Sequence, residues 1–101
     1  MTPVLFRKFK DGNVIALFPT ILCNTNVSTC LSYMHIGQHG NASINLIYET
    51  KLAKPDEYKS LLDELISIGY DDLKVYQRYQ YLWTKIRENK LKETVLDWSI
   101  E

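Results

Sequence analysis

Apolar positions in this chain switch between two periods. VLFRKF (4–9) and VIALF (14–18) are dense in apolar, β-prone residues, and Asp11, Gly12 and Asn13 lie between them. Glycine tolerates positive φ, and Asp and Asn bond their own backbone, so the spacing predicts a β-hairpin that ends at Pro19. TILCNTNVST (20–29) is rich in Asn, Thr and Ser and reads as a connecting loop. CLSYMHI (30–36) alternates, with Leu31, Tyr33 and His35 on one face and Cys30, Ser32, Met34 and Ile36 on the other. A GQHG turn (37–40) is expected to end this third strand. NASINLIYET (41–50) fits either a short strand or an irregular cover segment.

The period then lengthens. In KPDEYKSLLDELISIG (54–69), Tyr58, Leu61, Leu62, Leu65 and Ile68 make the stripe of a helix packed on one side. Pro55 suits the first helical position, Asp56 and Glu57 favour the positive end of the helix dipole, and Gly69 suits the C-terminal left-handed residue. DLKVYQRY (72–79) returns to alternation, with Leu73, Val75, Gln77 and Tyr79 on one face and Lys74, Tyr76 and Arg78 on the other. YLWTKIRENKLKE (81–93) carries Leu82, Trp83, Ile86 and Lys90 at helical spacing, and Val95, Leu96 and Trp98 form a last apolar cluster. The order ββ(β)αβα predicts an α+β fold: a small, mostly antiparallel sheet, one helix packed on a face, and a C-terminal helix. The chain, 1–101, is expected to be a single domain, with 79–101 as a C-terminal helix and tail.

Charge narrows the class of partner. Twelve basic and twelve acidic residues cancel, so there is no bulk electrostatic pull toward nucleic acid or anionic membrane. Arg7, Lys8 and Lys10 form one local basic cluster; Arg78, Lys85, Arg87, Lys90 and Lys92 form another, interrupted by Glu88 and Glu93, and both read as solvated surface. No apolar run approaches the ~20 residues of a membrane span. The N-terminus turns charged too early for a secretory signal, so a cytoplasmic location is expected. In that compartment Cys23 and Cys30 are expected to be free thiols.

FRKFKDGNVIALFP (6–19), CLSYMHIGQHG (30–40) and PDEYKSLLDELISIGYDDLKV (55–75) together resemble a widespread family of small bacterial proteins, also carried on phages and plasmids. Its shared pattern runs FRKFKDG, VIALFP, CLSYMH-x-GQHG and IGYDLKV. The resemblance covers about residues 4–78; segments 20–29 and 41–53 depart from it, and Asp71-Asp72 carries one acid more than the pattern. It implies a bacterial or mobile-element origin and a cytoplasmic location, and it brings no activity with it.

The chemistry is concentrated in His35, Gly37, Gln38, His39 and Gly40, the candidate ligand-binding residues. His35 and His39 could share a metal ion, but zinc needs further ligands, and Cys23, Cys30, Asp11 and Glu49 stand at no diagnostic spacing. Two glycines allow close approach of an anion, yet the Lys and Ser/Thr of a phosphate loop are absent. Cys30 and His35 fall on opposite strand faces, which spoils a thiolate–imidazole pair, so no catalytic residue and no cofactor is assigned. The same groups also serve simply to end a strand. Aromatic residues Tyr33, Tyr76, Tyr79, Trp83 and Trp98 are candidate interface anchors. The first reading is therefore a small non-enzymatic binding or accessory protein that contacts a partner protein or itself. The alternative is a ligand-, nucleotide- or metal-binding domain, or a small enzyme, centred on the HIGQHG turn.

Overall fold

A computed structural model describes residues 1–35 and 37–100, the last seven of these by helix backbone. Strands β1 (Thr2–Lys8) and β2 (Val14–Phe18) form the expected hairpin, with Leu5 opposite Leu17 and Lys8 opposite Val14. Asp11 holds the turn by accepting from the Asn13 N–H at 3.0 Å, and Gly12 takes φ +93°. Next come β3 (Thr29–Met34), β4 (Gln38–Ser43), α1 (Leu46–Glu49), β5 (Lys51–Leu52), α2 (Pro55–Ser67), β6 (Leu73–Tyr76) and α3 (Tyr81–Ile100). The sheet runs β4-β3-β2-β1 antiparallel. The far side of β1 is shared: β5 pairs antiparallel with Arg7 and Lys8, and β6 pairs parallel with Thr2 through Leu5. The fold is thus α+β with a mostly antiparallel sheet. The segment left open between strand and cover, 41–50, is both: it finishes β4 and then forms α1.

Both faces of the sheet are covered. On one, Leu61 and Leu65 of α2 meet Val4, Phe6, Ala16, Phe18 and Tyr33. Tyr58 stacks on Phe6 with ring centroids 4.4 Å apart, and Tyr70 stacks on Phe18 at 4.9 Å. On the other, Leu5, Ile15, Leu17, Cys30 and Ala42 meet Trp83 of α3, with Ile44, Leu46 and Ile47 packed alongside. This double cover is why Val4-Leu5-Phe6 and Ile15-Ala16-Leu17-Phe18 are apolar and buried without interruption.

Helix α2 is closed at both ends by local chemistry. Glu57 accepts from the Lys54 N–H at 2.9 Å and pairs with Lys8, and the Lys8 contact chiefly holds its carboxyl below the usual range. At the other end Gly69 N–H bonds the Ile66 carbonyl and Tyr70 N–H reaches back to that of Leu65. That is a Schellman motif, which requires the φ of +121° seen at Gly69. Gly69→Ala should therefore cost about 1 kcal/mol of stability in urea titration, because open space around the position does not relieve its backbone. An unchanged midpoint would mean the helix end rearranges.

Two basic residues read as solvated surface are not. Arg7 donates to the Ile47 carbonyl at 2.9 Å and to Thr50, capping the end of α1. Arg87 is 1% exposed. It donates to the carbonyls of Pro19 (2.6 Å) and Val27 (3.1 Å) and to the Tyr79 hydroxyl (2.7 Å), fastening the polar loop 19–28 to α3.

Candidate functional site

The histidine stretch forms the tip of the β3–β4 hairpin. Gly37 takes φ +70°, but Gln38, His39 and Gly40 already pair with Met34, Tyr33 and Ser32 in β4. The expected four-residue GQHG turn is thus corrected: only its first glycine turns, because the remaining three extend the ladder. A β-carbon at Gly40 would stand 3.7 Å from the Ser32 hydroxyl, an ordinary contact, so that position does not demand glycine.

Both imidazoles face the helix layer. His35 Nδ1 lies 2.9 Å from Glu64 Oε1, and its Nε2 lies 3.2 Å from Ser60 Oγ. Ser60 and Glu64 are one turn apart on α2, so they share a face. With Glu64 ionised, Nδ1 carries the proton and donates, and Nε2 accepts from the serine. The other Glu64 oxygen accepts from the Tyr33 hydroxyl, which in turn accepts from the Gly37 N–H at 3.0 Å. His39 reaches elsewhere: its Nε2 is 2.9 Å from the Tyr70 hydroxyl and its ring meets Tyr33 edge-on, centroids 4.7 Å apart. The two histidines therefore tie the hairpin to α2 and to the residue just past it. They have separate partners, and among the described residues no three His, Cys, Asp or Glu side chains gather where they could hold a metal ion.

Electrostatics at this clamp are set by Glu64. The Tyr33 hydrogen bond first, and the His35 bond second, hold its carboxyl below the ordinary range. The same bond pushes the Tyr33 phenol up. A carboxyl whose folded pKa is depressed lends stability above its unfolded value of about 4.3, and that stability fades as pH falls through the folded one. Glu64→Gln should therefore flatten the acid limb of a Tm-against-pH curve while leaving a folded protein at neutral pH. An acid limb identical to that of the unsubstituted protein would show that the clamp is energetically idle.

The aromatic candidates are placed differently from the sequence expectation. Tyr33 is 1% exposed and Trp83 3%, so both are core residues and not exposed anchors. Tyr33 sits on the strand face that α2 covers. Tyr76 and Tyr79 are half-buried and meet Trp83 edge-on, at centroid distances of 5.0 and 5.3 Å. The Trp98 side chain lies outside the described residues.

Tyr48, Tyr81 and Leu82 are among the more exposed apolar side chains, and a further apolar patch borders the edge strand β6. Val75 is 36% exposed and lines two neighbouring grooves. One runs to Leu52 and Pro55, the other to Ile66 (55% exposed) and Leu62. The Thr2 N–H bonds the Asp72 carbonyl at 2.9 Å. In a parallel ladder the backbone groups of Asp72, Lys74 and Tyr76 then face β1, and those of Leu73 and Val75 face outward. The opposite edge, β4, presents Gln38, His39, Asn41 and Ser43. Sequence reading placed Val75 on the apolar face of a strand but carried no sign that the strand lies at an edge.

Cys23 is exposed and Cys30 buried, and neither forms a disulfide. Burial pushes the Cys30 thiol up to about 11, with the Arg87 charge pulling weakly the other way. One thiol should thus react with iodoacetamide under native conditions, at Cys23, and two after denaturation. Equal native rates would show that the loop over Cys30 opens readily.

Comparison with known proteins found no matching family model, no matching curated protein and no matching solved structure.

Proposed function

We propose that this chain is a small, non-enzymatic accessory protein that works by protein–protein contact, through the outward edge of β6 and the apolar surface beside it. The carrying observation is the conjunction at β6: outward-facing backbone groups at Leu73 and Val75, with Val75, Ile66 and Leu52 exposed on either side. An unpaired edge strand accepts an extended segment, and exposed apolar side chains beside it supply the burial that makes such pairing last. Zero net charge favours a protein partner over nucleic acid. A cytoplasmic setting and a bacterial or mobile-element origin belong to the same proposal, supported by the FRKFKDG and CLSYMH-x-GQHG pattern. No described helix is long and apolar enough to cross a membrane.

A photo-cross-linking amino acid at position 75, compared with one at exposed Lys92, tests this in the host cell. Adducts to a defined protein from position 75 alone are expected. Equal yields from both positions, or none from either, would overturn the reading.

One observation favours a second reading, a small hydrolytic or ligand-binding site at the hairpin tip. Ser60 Oγ, His35 and Glu64 stand in the order of a nucleophile, a base and its orienting acid. Against it, the Gly37 N–H is taken up by Tyr33, and Ser60 lies inside α2, where backbone N–H groups bond the helix rather than an oxyanion. Labelling of Ser60 by a fluorophosphonate, lost in His35→Ala, would promote this reading over the first.

A further inference from the structure

We infer that the groove between the end of β1 and the α1–β5 segment is a binding site for a mononucleotide, a small phosphate dianion carried on a flat ring. The groove has a volume of about 450 Å³. That falls within the roughly 300–1,000 Å³ of small-ligand sites. It shares no lining residue with the grooves at β6, so neither proposal depends on the other.

The walls carry positive charge that the fold leaves uncompensated. In the β1–β5 ladder Lys8 stands directly opposite Lys51. Residues so paired project from one face, and like charges there destabilise the pair. Glu57 of α2 pairs with Lys8 and offsets one of the two. Lys51 has no ion pair among the described residues, and neither has Lys10. Lys10 is held at the groove by the hairpin turn, which closes where the Phe9 N–H bonds the Asn13 carbonyl at 2.8 Å. Arg7 adds a fourth cation. Its half-buried guanidinium donates to neutral oxygens, those of Thr50 and the Ile47 carbonyl, and among the described residues it meets no carboxylate. Four cations thus gather against Glu57 and Glu49 in a chain whose total charge is zero. A phosphate seated between Lys8 and Lys51 relieves the repulsion built into the ladder.

The remaining lining suits the rest of a nucleotide. Tyr48 is 86% exposed and has no hydrogen bond or ring partner among the described residues, and Phe9 lines the groove from the edge of the second core cluster. A large ring held in water beside three lysines is a platform for a stacked base. Glu49 supplies the acceptor that a sugar hydroxyl needs. A chain of zero net charge gives a longer strand no further pull, which favours a free nucleotide over a nucleic acid.

Titration with adenosine monophosphate, read by calorimetry and by amide chemical shifts, is the test, beside inorganic phosphate and a single-stranded oligoadenylate. One-to-one saturable binding is expected, tighter than that of phosphate, with shifts at Lys10, Tyr48 and Lys51. Lys51→Glu should abolish binding yet raise the ligand-free Tm, because it turns a like pair into an opposite one. Tyr48→Ala should weaken binding about tenfold and leave Tm unchanged. A purely structural role for these residues predicts a lowered Tm in both variants and overturns the site. So does a lack of saturation by about 1 mM nucleotide, or phosphate bound as tightly as the nucleotide. An oligoadenylate that gains more affinity than its number of nucleotides accounts for overturns the free nucleotide as ligand.

Discussion

Trp83→Ala is expected to destabilise the protein by about 3–5 kcal/mol, the cost of emptying a large aromatic site in a packed core. Trp83 of α3 is buried in the sheet core, between Leu5, Ile15, Leu17 and Cys30 on one side and the rings of Tyr76 and Tyr79 on the other, with Ile86 packed alongside. Without it, both tyrosines lose their edge-on partner and the second face of the sheet loses the largest buried side chain that the described residues of α3 supply. Urea titration followed by far-ultraviolet circular dichroism reads the midpoint directly. The result also separates two roles for this tryptophan. An interface anchor would leave monomer stability nearly unchanged and weaken association. A core residue, as its burial indicates, does the reverse. A variant of unchanged midpoint would return Trp83 to the surface.

Arg87→Met should come next in size, at about 3 kcal/mol. The methionine fills much of the volume but donates no hydrogen bond, so the carbonyls of Pro19 and Val27 and the Tyr79 hydroxyl lose their donor where water cannot easily replace it. An unsatisfied buried polar group costs about 1–3 kcal/mol, and partial rearrangement of loop 19–28 keeps the sum below three full penalties. Arg87→Lys should recover only part of the loss, because an ammonium lacks the planar fork that reaches several oxygens at once. The iodoacetamide rate at Cys30 gives an independent reading, since Cys30 is packed on the same face and should become reactive as the loop loosens. Full stability in Arg87→Met would mean that the loop's contacts are replaceable by solvent.

The contrast between these two residues and the histidine pair shows where sequence reading succeeds and where it stops. Trp83 fell in the apolar stripe of the predicted helix but was read as an interface anchor, and its neighbour Leu82, equally apolar and in the same stripe, is 62% exposed. Period alone gives a face about three residues wide and cannot say which member meets the sheet. Arg87 was illegible: an arginine amid charged residues has the pattern of a solvated surface. It is buried only because a loop some sixty positions earlier offers bare carbonyls. Likewise His35 and His39 announced concentrated polar chemistry, but the partners that engage them, Ser60, Glu64 and Tyr70, sit on α2 and just beyond it. No local spacing links them. One signal was present and not used. The unbroken apolar runs of β1 and β2 indicate a sheet covered on both faces, whereas the expected arrangement put a helix on one.

By itself the sequence determined what local physics controls: the Asp-Gly hairpin, the alternation of β3, the stripe and glycine stop of α2, and the zero net charge. Only the tertiary structure decided that β6 joins β1 in parallel and so becomes an edge, that α3 closes the second face, and that the histidines are turned toward α2. Those outcomes depend on contacts between residues far apart in the chain. Their energies come from burial and from satisfying buried donors and acceptors, and neither is written in the spacing of neighbouring residues.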